Sequence, residues 1–100
     1  SVTGVQTCAL PILKPGNVEE VIRRVKEGFV PLISSSGGFV RYQFLVAGPG
    51  AIATISVFKT ELAARDSNKM AANWVEENLA PLLEKPPQIT VGEARIDIVA

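Results

Sequence analysis

Apolar and polar positions alternate most clearly between residues 39 and 58, where FVRYQFLVA and AIATISVF flank Gly48-Pro49-Gly50. Runs rich in β-branched and aromatic residues on either side of such punctuation read as two antiparallel strands joined by a tight turn. With Gly48 and Pro49 as the two-residue loop, Phe39 faces Phe58, Arg41 faces Ser56, Gln43 faces Thr54 and Leu45 faces Ile52. That register gathers Val40, Tyr42, Phe44, Val46, Ala51, Ala53, Ile55 and Val57 on one wholly apolar side and leaves a polar middle on the other.

The period changes on both sides of this hairpin. Val18, Val21, Ile22, Val25, Phe29, Leu32 and Ile33 form a helical stripe, with Arg23, Arg24, Lys26 and Glu27 outside it. Asn17 and Glu20 have the spacing of a capping box, and Pro31 predicts a kink in the last turn. Residues 60–84 read as a second helical region, re-capped near Asp66 or Ser67 and stopped by Lys85-Pro86-Pro87. Ser67, Ala71, Trp74, Val75, Asn78 and Leu82 share one of its faces. Residues 88–100 alternate again, with a phase shift at Gly92-Glu93 that reads as a bulge in a last strand. A strand near residues 9–13 completes the order β-α-β-β-α-β. The fold class is α+β: a ferredoxin-like four-stranded antiparallel sheet with two helices on one face.

The first residues are a separate matter. Residues 2–12, VTGVQTCALPI, resemble the in-frame translation of a sequencing adapter. The resemblance implies that residues 1–12 are an adapter-derived artefact and that residues 13–100 form the single ferredoxin-fold domain. Cys8 and the lack of a signal peptide then carry no information about compartment, since the native start is missing. The alternative is a natural strand, ALPIL, with a short tail.

Composition narrows the chemistry. One hundred residues fill one core. Ten basic and ten acidic residues cancel, so no long-range field draws the chain to nucleic acid or to a membrane surface. No apolar run approaches the roughly 20 residues that span a bilayer. The expectation is therefore a cytoplasmic protein with no nucleic-acid or membrane partner. There is no histidine, which removes the commonest general base and metal ligand. A single cysteine makes neither an internal disulfide nor a zinc cluster, so no metal and no cofactor is expected.

Two helices on one side of a four-stranded sheet leave the other side bare. A second copy covers such a face economically, because a two-fold interface is self-complementary. The expected homodimer forms through the sheet face bearing Phe39, Arg41, Leu45, Ile52 and Phe58, with Arg41, Gln43, Thr54 and Ser56 supplying polar contacts or lining a wet gap between the sheets.

The segments VEEVIRRVKEGFVPLISSSGGFVRYQFLVAGPGAIATISVF and SNKMAANWVEENLAPLL together resemble the antibiotic biosynthesis monooxygenase-like family of dimeric α/β barrels. The resemblance covers residues 13–100 and rests on overall pattern. It implies face-to-face sheets in a homodimer. It also implies one of several functions: cofactor-independent oxidation of polyketide-type aromatics, haem degradation, or no catalysis. The haem-degrading branch fits poorly, because the family's haem-ligating histidine has no counterpart here. Trp74 is the one suggestive correspondence with the oxygenases, and no catalytic set aligns.

Four polar or amphipathic residues fall in the layer between sheet and helices: Tyr42, Ser67, Trp74 and Asn78. A buried amide without partners costs about 1–3 kcal/mol, so Asn78 either bonds a nearby carbonyl or orients a ligand. Trp74 is either core or the wall of a pocket shared with Tyr42. GFVRYQF echoes the aromatic RNA-binding strand of an RRM, but its aromatics alternate between faces and the net charge is zero. The expected function is a cofactor-independent, monooxygenase-like protein that binds a small planar aromatic in an apolar pocket. The alternative is a non-catalytic small-molecule-binding or stress-response barrel of the same fold. A regulatory module resembling an ACT domain is a third possibility.

Overall fold

A computed structural model describes residues 3–100. Four strands form one antiparallel sheet in the order β2-β3-β1-β4: β1 is Gly4–Pro11, β2 Phe39–Gly48, β3 Ala51–Phe58 and β4 Gln88–Glu93. The helices α1 (Val18–Arg24), α2 (Val30–Ser34) and α3 (Glu61–Asn78) lie on one face, as expected for the ferredoxin-like α+β class. Val21, Val25, Phe29 and Ile33 point from the first helical segment into a core shared with Leu10, Ile52, Phe58, Val75 and Leu79. Burying each larger side chain there contributes about 1.5–3 kcal/mol.

The hairpin is the main correction. Its turn is Pro49-Gly50, one residue later than the reading from sequence, because proline pre-sets the first turn position and Gly50 takes the positive φ of 73° at the second. Phe39 still pairs with Phe58, but Val40 and Ala47 are extra residues on β2, and the pairing between them slips by one. Arg41 pairs with Val57, Tyr42 with Ser56, Gln43 with Ile55, Phe44 with Thr54 and Leu45 with Ala53. Thr54, Ser56, Ile52 and Phe58 therefore turn toward the helices, where all four are buried. The bare face carries Arg41, Gln43, Leu45, Ala53 and Ile55 instead. The expected dimer face is thus corrected: Ile52 and Phe58 are core residues, and Thr54 and Ser56 cannot lie between sheets.

Other boundaries shift for local reasons. β1 begins at Gly4 rather than near residue 9, because it pairs along its whole length with β3 and along most of it with β4. The last strand ends at Glu93, opposite Gly4; Ala94 N–H still donates to the Thr3 carbonyl at 2.6 Å, and further on Ile96 and Ile98 are 84% and 87% exposed. Asn17 makes no side-chain cap, and Glu20 turns instead to Arg23 and Arg24 at 2.7 and 2.8 Å. Those two guanidiniums hold the Glu20 carboxyl down at about 2. Helix α3 starts on Thr60, whose hydroxyl accepts from Ala63 N–H at 3.0 Å, and it runs unbroken through Asp66 and Ser67. Pro31 lies inside a helical run that is continuous from Val18 to Ser34, where it has no N–H to offer the preceding turn, and the irregularity falls just before it, in a π-helical turn at Val25–Phe29. Among the described residues, no helix is long and apolar enough to cross a membrane.

Candidate functional site

The slipped register gives the sheet a polar strip on its helix-facing side. Tyr42 on β2 and Gln6 on β1 both pair with Ser56 of β3, and Thr54, which pairs with Cys8, lies diagonally beside them. Above this floor lie Val25 and Phe29 of the π-helical turn and Ala71, Trp74 and Val75 of α3. The stripe Ala64, Ser67, Ala71 and Val75 is made of small or compact side chains, so α3 approaches the sheet closely there. Trp74 and Phe29 then meet over the gap at a centroid separation of 5.3 Å and 56°, and Phe29 meets Tyr42 at 5.4 Å and 54°. Tilted aromatic pairs at this spacing contribute about 0.5–1.5 kcal/mol beyond their buried area.

These residues line a partly open cavity of about 20 Å³. That is room for roughly one water molecule, which would find polar partners on the floor. Four larger hollows, of about 390, 330, 360 and 370 Å³, are open surface grooves without an aromatic wall; the first runs along Ser36, Thr60, Asp66 and Met70, the third along Pro11, Ala51 and Pro86. The aromatic cavity is the better candidate, because it combines apolar walls with a few convergent polar groups.

Burial sets the protonation of the floor. It pushes the Cys8 thiol up to about 11 and raises the Tyr42 hydroxyl as well, with Thr54 working against the rise. Both groups are neutral near pH 7, so Tyr42 offers a hydrogen-bond donor rather than an anion. Gln6 donates from Nε2 to Ser67 Oγ at 3.4 Å and to Asn68 Oδ1 at 3.3 Å.

Of the four residues singled out in the sequence, Trp74 and Tyr42 line the cavity. Ser67 lies at its Gln6 corner and donates to the Ala64 carbonyl at 2.8 Å. Asn78 is outside the lining: its Nδ2 donates to the Trp74 carbonyl at 2.9 Å, while its own carbonyl accepts from Arg24 at 2.7 Å. The sequence reading missed Phe29, Thr54 and Gln6. Phe29 read as core, Thr54 was assigned to the opposite face, and Gln6 lies in the segment set aside as adapter-like.

No protein-family model and no curated protein matches the chain in sequence. Solved structures do match in shape. The chain is similar to a monooxygenase from the gene ActVA-Orf6 of Streptomyces coelicolor, in complex with the ligand nanaomycin D, at 20% identity and a TM-score of 0.79 over 99% of this chain and 93% of that one. A dimeric ferredoxin-like protein from an uncultured marine organism matches at 10% identity and a TM-score of 0.77, over 100% and 94% of the two chains. The haem-degrader MhuD from Mycobacterium tuberculosis, with two haems bound in its active site, matches at 17% identity and a TM-score of 0.71, over 96% and 99%. At these identities the likeness is one of architecture: the chain has a ferredoxin-like fold, which it shares with these structures and with a putative antibiotic biosynthesis monooxygenase from Nitrosomonas europaea.

Proposed function

We propose that this chain is a monooxygenase-like protein that takes a small planar aromatic into the cavity between Trp74, Phe29 and Tyr42. The observation that carries the reading is the pairing of that aromatic wall with a polar floor on the helix-facing side of the sheet. A planar ligand stacks on rings, and neutral donors such as the Tyr42 hydroxyl hold a carbonyl or enolate oxygen without adding charge. An electron-rich substrate with an activated CH2, such as an anthrone, supplies its own reducing electrons. Its two hydrogens leave with one oxygen atom of O2 as water, and the other oxygen atom becomes the new carbonyl. The chain's part in this reaction is to bind, orient and desolvate the substrate, with no cofactor or metal called for.

The same reading includes a homodimer through the bare sheet face around Leu45, Ala53 and Ile55, acting in the cytoplasm. Leu45 is 46% exposed there, beside Ala53 and Ile55, and a second copy would remove this apolar surface from water. The small cavity favours a second reading, a non-catalytic binding or stress-associated barrel, because a three-ring substrate needs the wall to open. The test is titration of Trp74 fluorescence with anthrone- and quinol-like compounds, alongside O2 uptake with anthrone. Quenching with O2 uptake supports the oxygenase; saturable quenching without uptake supports the binding protein; no quenching by any planar compound removes both.

A further inference from the structure

Trp74 leans outward on a residue that has no side chain. A Cβ placed at Gly28 would stand 3.0 Å from Trp74 Cζ2 and 3.1 Å from its Nε1, closer than such contacts ordinarily come. Gly28 lies in the π-helical turn Val25–Phe29, directly before the phenylalanine that packs on the same indole. The indole is thus held between the Gly28 backbone on its outer side and the cavity on its inner side. Because the indole also lines the cavity, its position bears on the cavity's width.

We infer that Gly28 is a specificity-determining residue: by leaving its side-chain position empty, it lets Trp74 sit outward and so sets the width of the ligand cavity. This rests on the proposed aromatic-binding role of that cavity. Gly28 is exposed, and the three atoms nearest its missing Cβ all belong to Trp74, so its effect is transmitted through the indole. Adding a methyl group at residue 28 requires the ring to give by a few tenths of an ångström, and on this inference it gives toward the space of about 20 Å³ that it lines. A wide three-ring ligand loses more from that narrowing than a one-ring ligand does. One methyl group at a pocket wall changes selectivity by about tenfold or more. Folding has no comparable reason to suffer, since Gly28 is exposed and alanine is the better helix former.

Gly28→Ala is compared with the wild type and with Gly16→Ala, a control at an exposed glycine with nothing near its missing Cβ. Trp74 is the single tryptophan, so the emission maximum and acrylamide quenching of the ligand-free protein report the indole directly. The expected result is a blue-shifted, better shielded indole in Gly28→Ala, an unchanged or raised melting temperature, and an anthrone-to-hydroquinone affinity ratio reduced by about tenfold. Gly16→Ala leaves all of these as in the wild type. If the wild type binds no planar compound while Gly28→Ala still shifts the emission, the aromatic-binding reading fails and Gly28's control of the indole stands. An indole spectrum and shielding unchanged by Gly28→Ala overturn the inference whatever the ligand does. A shifted spectrum with an unchanged affinity ratio overturns the specificity role.

Discussion

Phe29 is fully packed where Trp74 is only half-buried, although the two rings touch at 5.3 Å. Phe29 is 5% exposed and bridges Trp74 to Tyr42, so its removal empties the centre of the aromatic wall. Phe29→Ala should cost about 3–5 kcal/mol and leave little folded protein. Trp74→Ala should cost less than that range, because one side of the indole already borders a void, and Trp74→Phe should keep the fold while weakening planar ligands. Urea melts of the three variants check the order. A Trp74→Ala variant less stable than Phe29→Ala would make the indole a core residue and the cavity incidental.

The two faces of β3 give opposite outcomes for the same substitution three residues apart. Ile52 is 3% exposed beneath the helices, so Ile52→Lys buries an unpaired charge and should unfold the protein. Ile55 lies on the bare face, opposite Gln43, so Ile55→Lys should leave a folded chain that sediments as a monomer. Sedimentation at high micromolar concentration, with circular dichroism alongside, distinguishes these outcomes. A wild type that is itself monomeric there would contradict the proposed interface.

The ferredoxin-like order was legible because each element has its own period: alternation in the strands, the Val21–Val25–Phe29 stripe, and the Ala71–Trp74–Val75 face. The site was legible only in part. Tyr42 and Phe44 of β2 face the helices as the alternation implied, but β3 does not follow: the pattern favoured its Ala51, Ala53, Ile55 and Val57 side, and the slip made by the bulges at Val40 and Ala47 turns the other side inward. A threonine and a serine in a strand read as outward-facing, whereas here Thr54 and Ser56 face the helices. Trp74 was found because helical spacing fixes its direction. Phe29 was classed as core for the same reason, and its role at the cavity depends on the neighbouring Tyr42 and Trp74, which lie far off in sequence.

Alkaline pH should destabilise the fold in a defined window. The protonated, neutral forms of Cys8 and Tyr42 are the ones the buried site favours, so both ionise at higher pH when folded than when unfolded. The unfolded thiol loses its proton near 9.0 and the folded one only at about 11. Between those values the folded state binds more protons, and stability falls as pH rises. It is fully present below pH 9, with Tyr42 extending the loss further into the alkaline range. Melting temperatures from pH 7 to 11 check this, and Cys8→Ala should flatten the early part of the curve. A thiol reagent should also react slowly with the native protein at pH 8, at a rate that rises with denaturant. Rapid labelling without denaturant would mean that the thiol is not shielded by the core.

Strand β1 bears on the origin of the chain. We infer that residues 2–12 are adapter-derived; Val2 lies outside the described residues, and the rest of the segment supplies β1 and Ile12. The segment does serve as a strand, with Gln6, Cys8 and Leu10 turned inward and paired neighbours on both sides. Its polar fit is looser. Both hydrogen bonds from the Gln6 amide, at 3.3 and 3.4 Å, exceed the usual 2.7–3.2 Å. A central strand must still exist in the native protein, because without it β3 and β4 would have no common partner. Re-sequencing the source locus from untreated genomic DNA should therefore replace these eleven residues with another strand-forming segment whose alternate positions face Thr54 and Trp74. Grafted onto residues 13–100, that segment should raise the melting temperature above that of the present chain. Recovery of the same codons from independently prepared DNA would make the segment native, and Gln6 and Cys8 would then be genuine floor residues of the cavity.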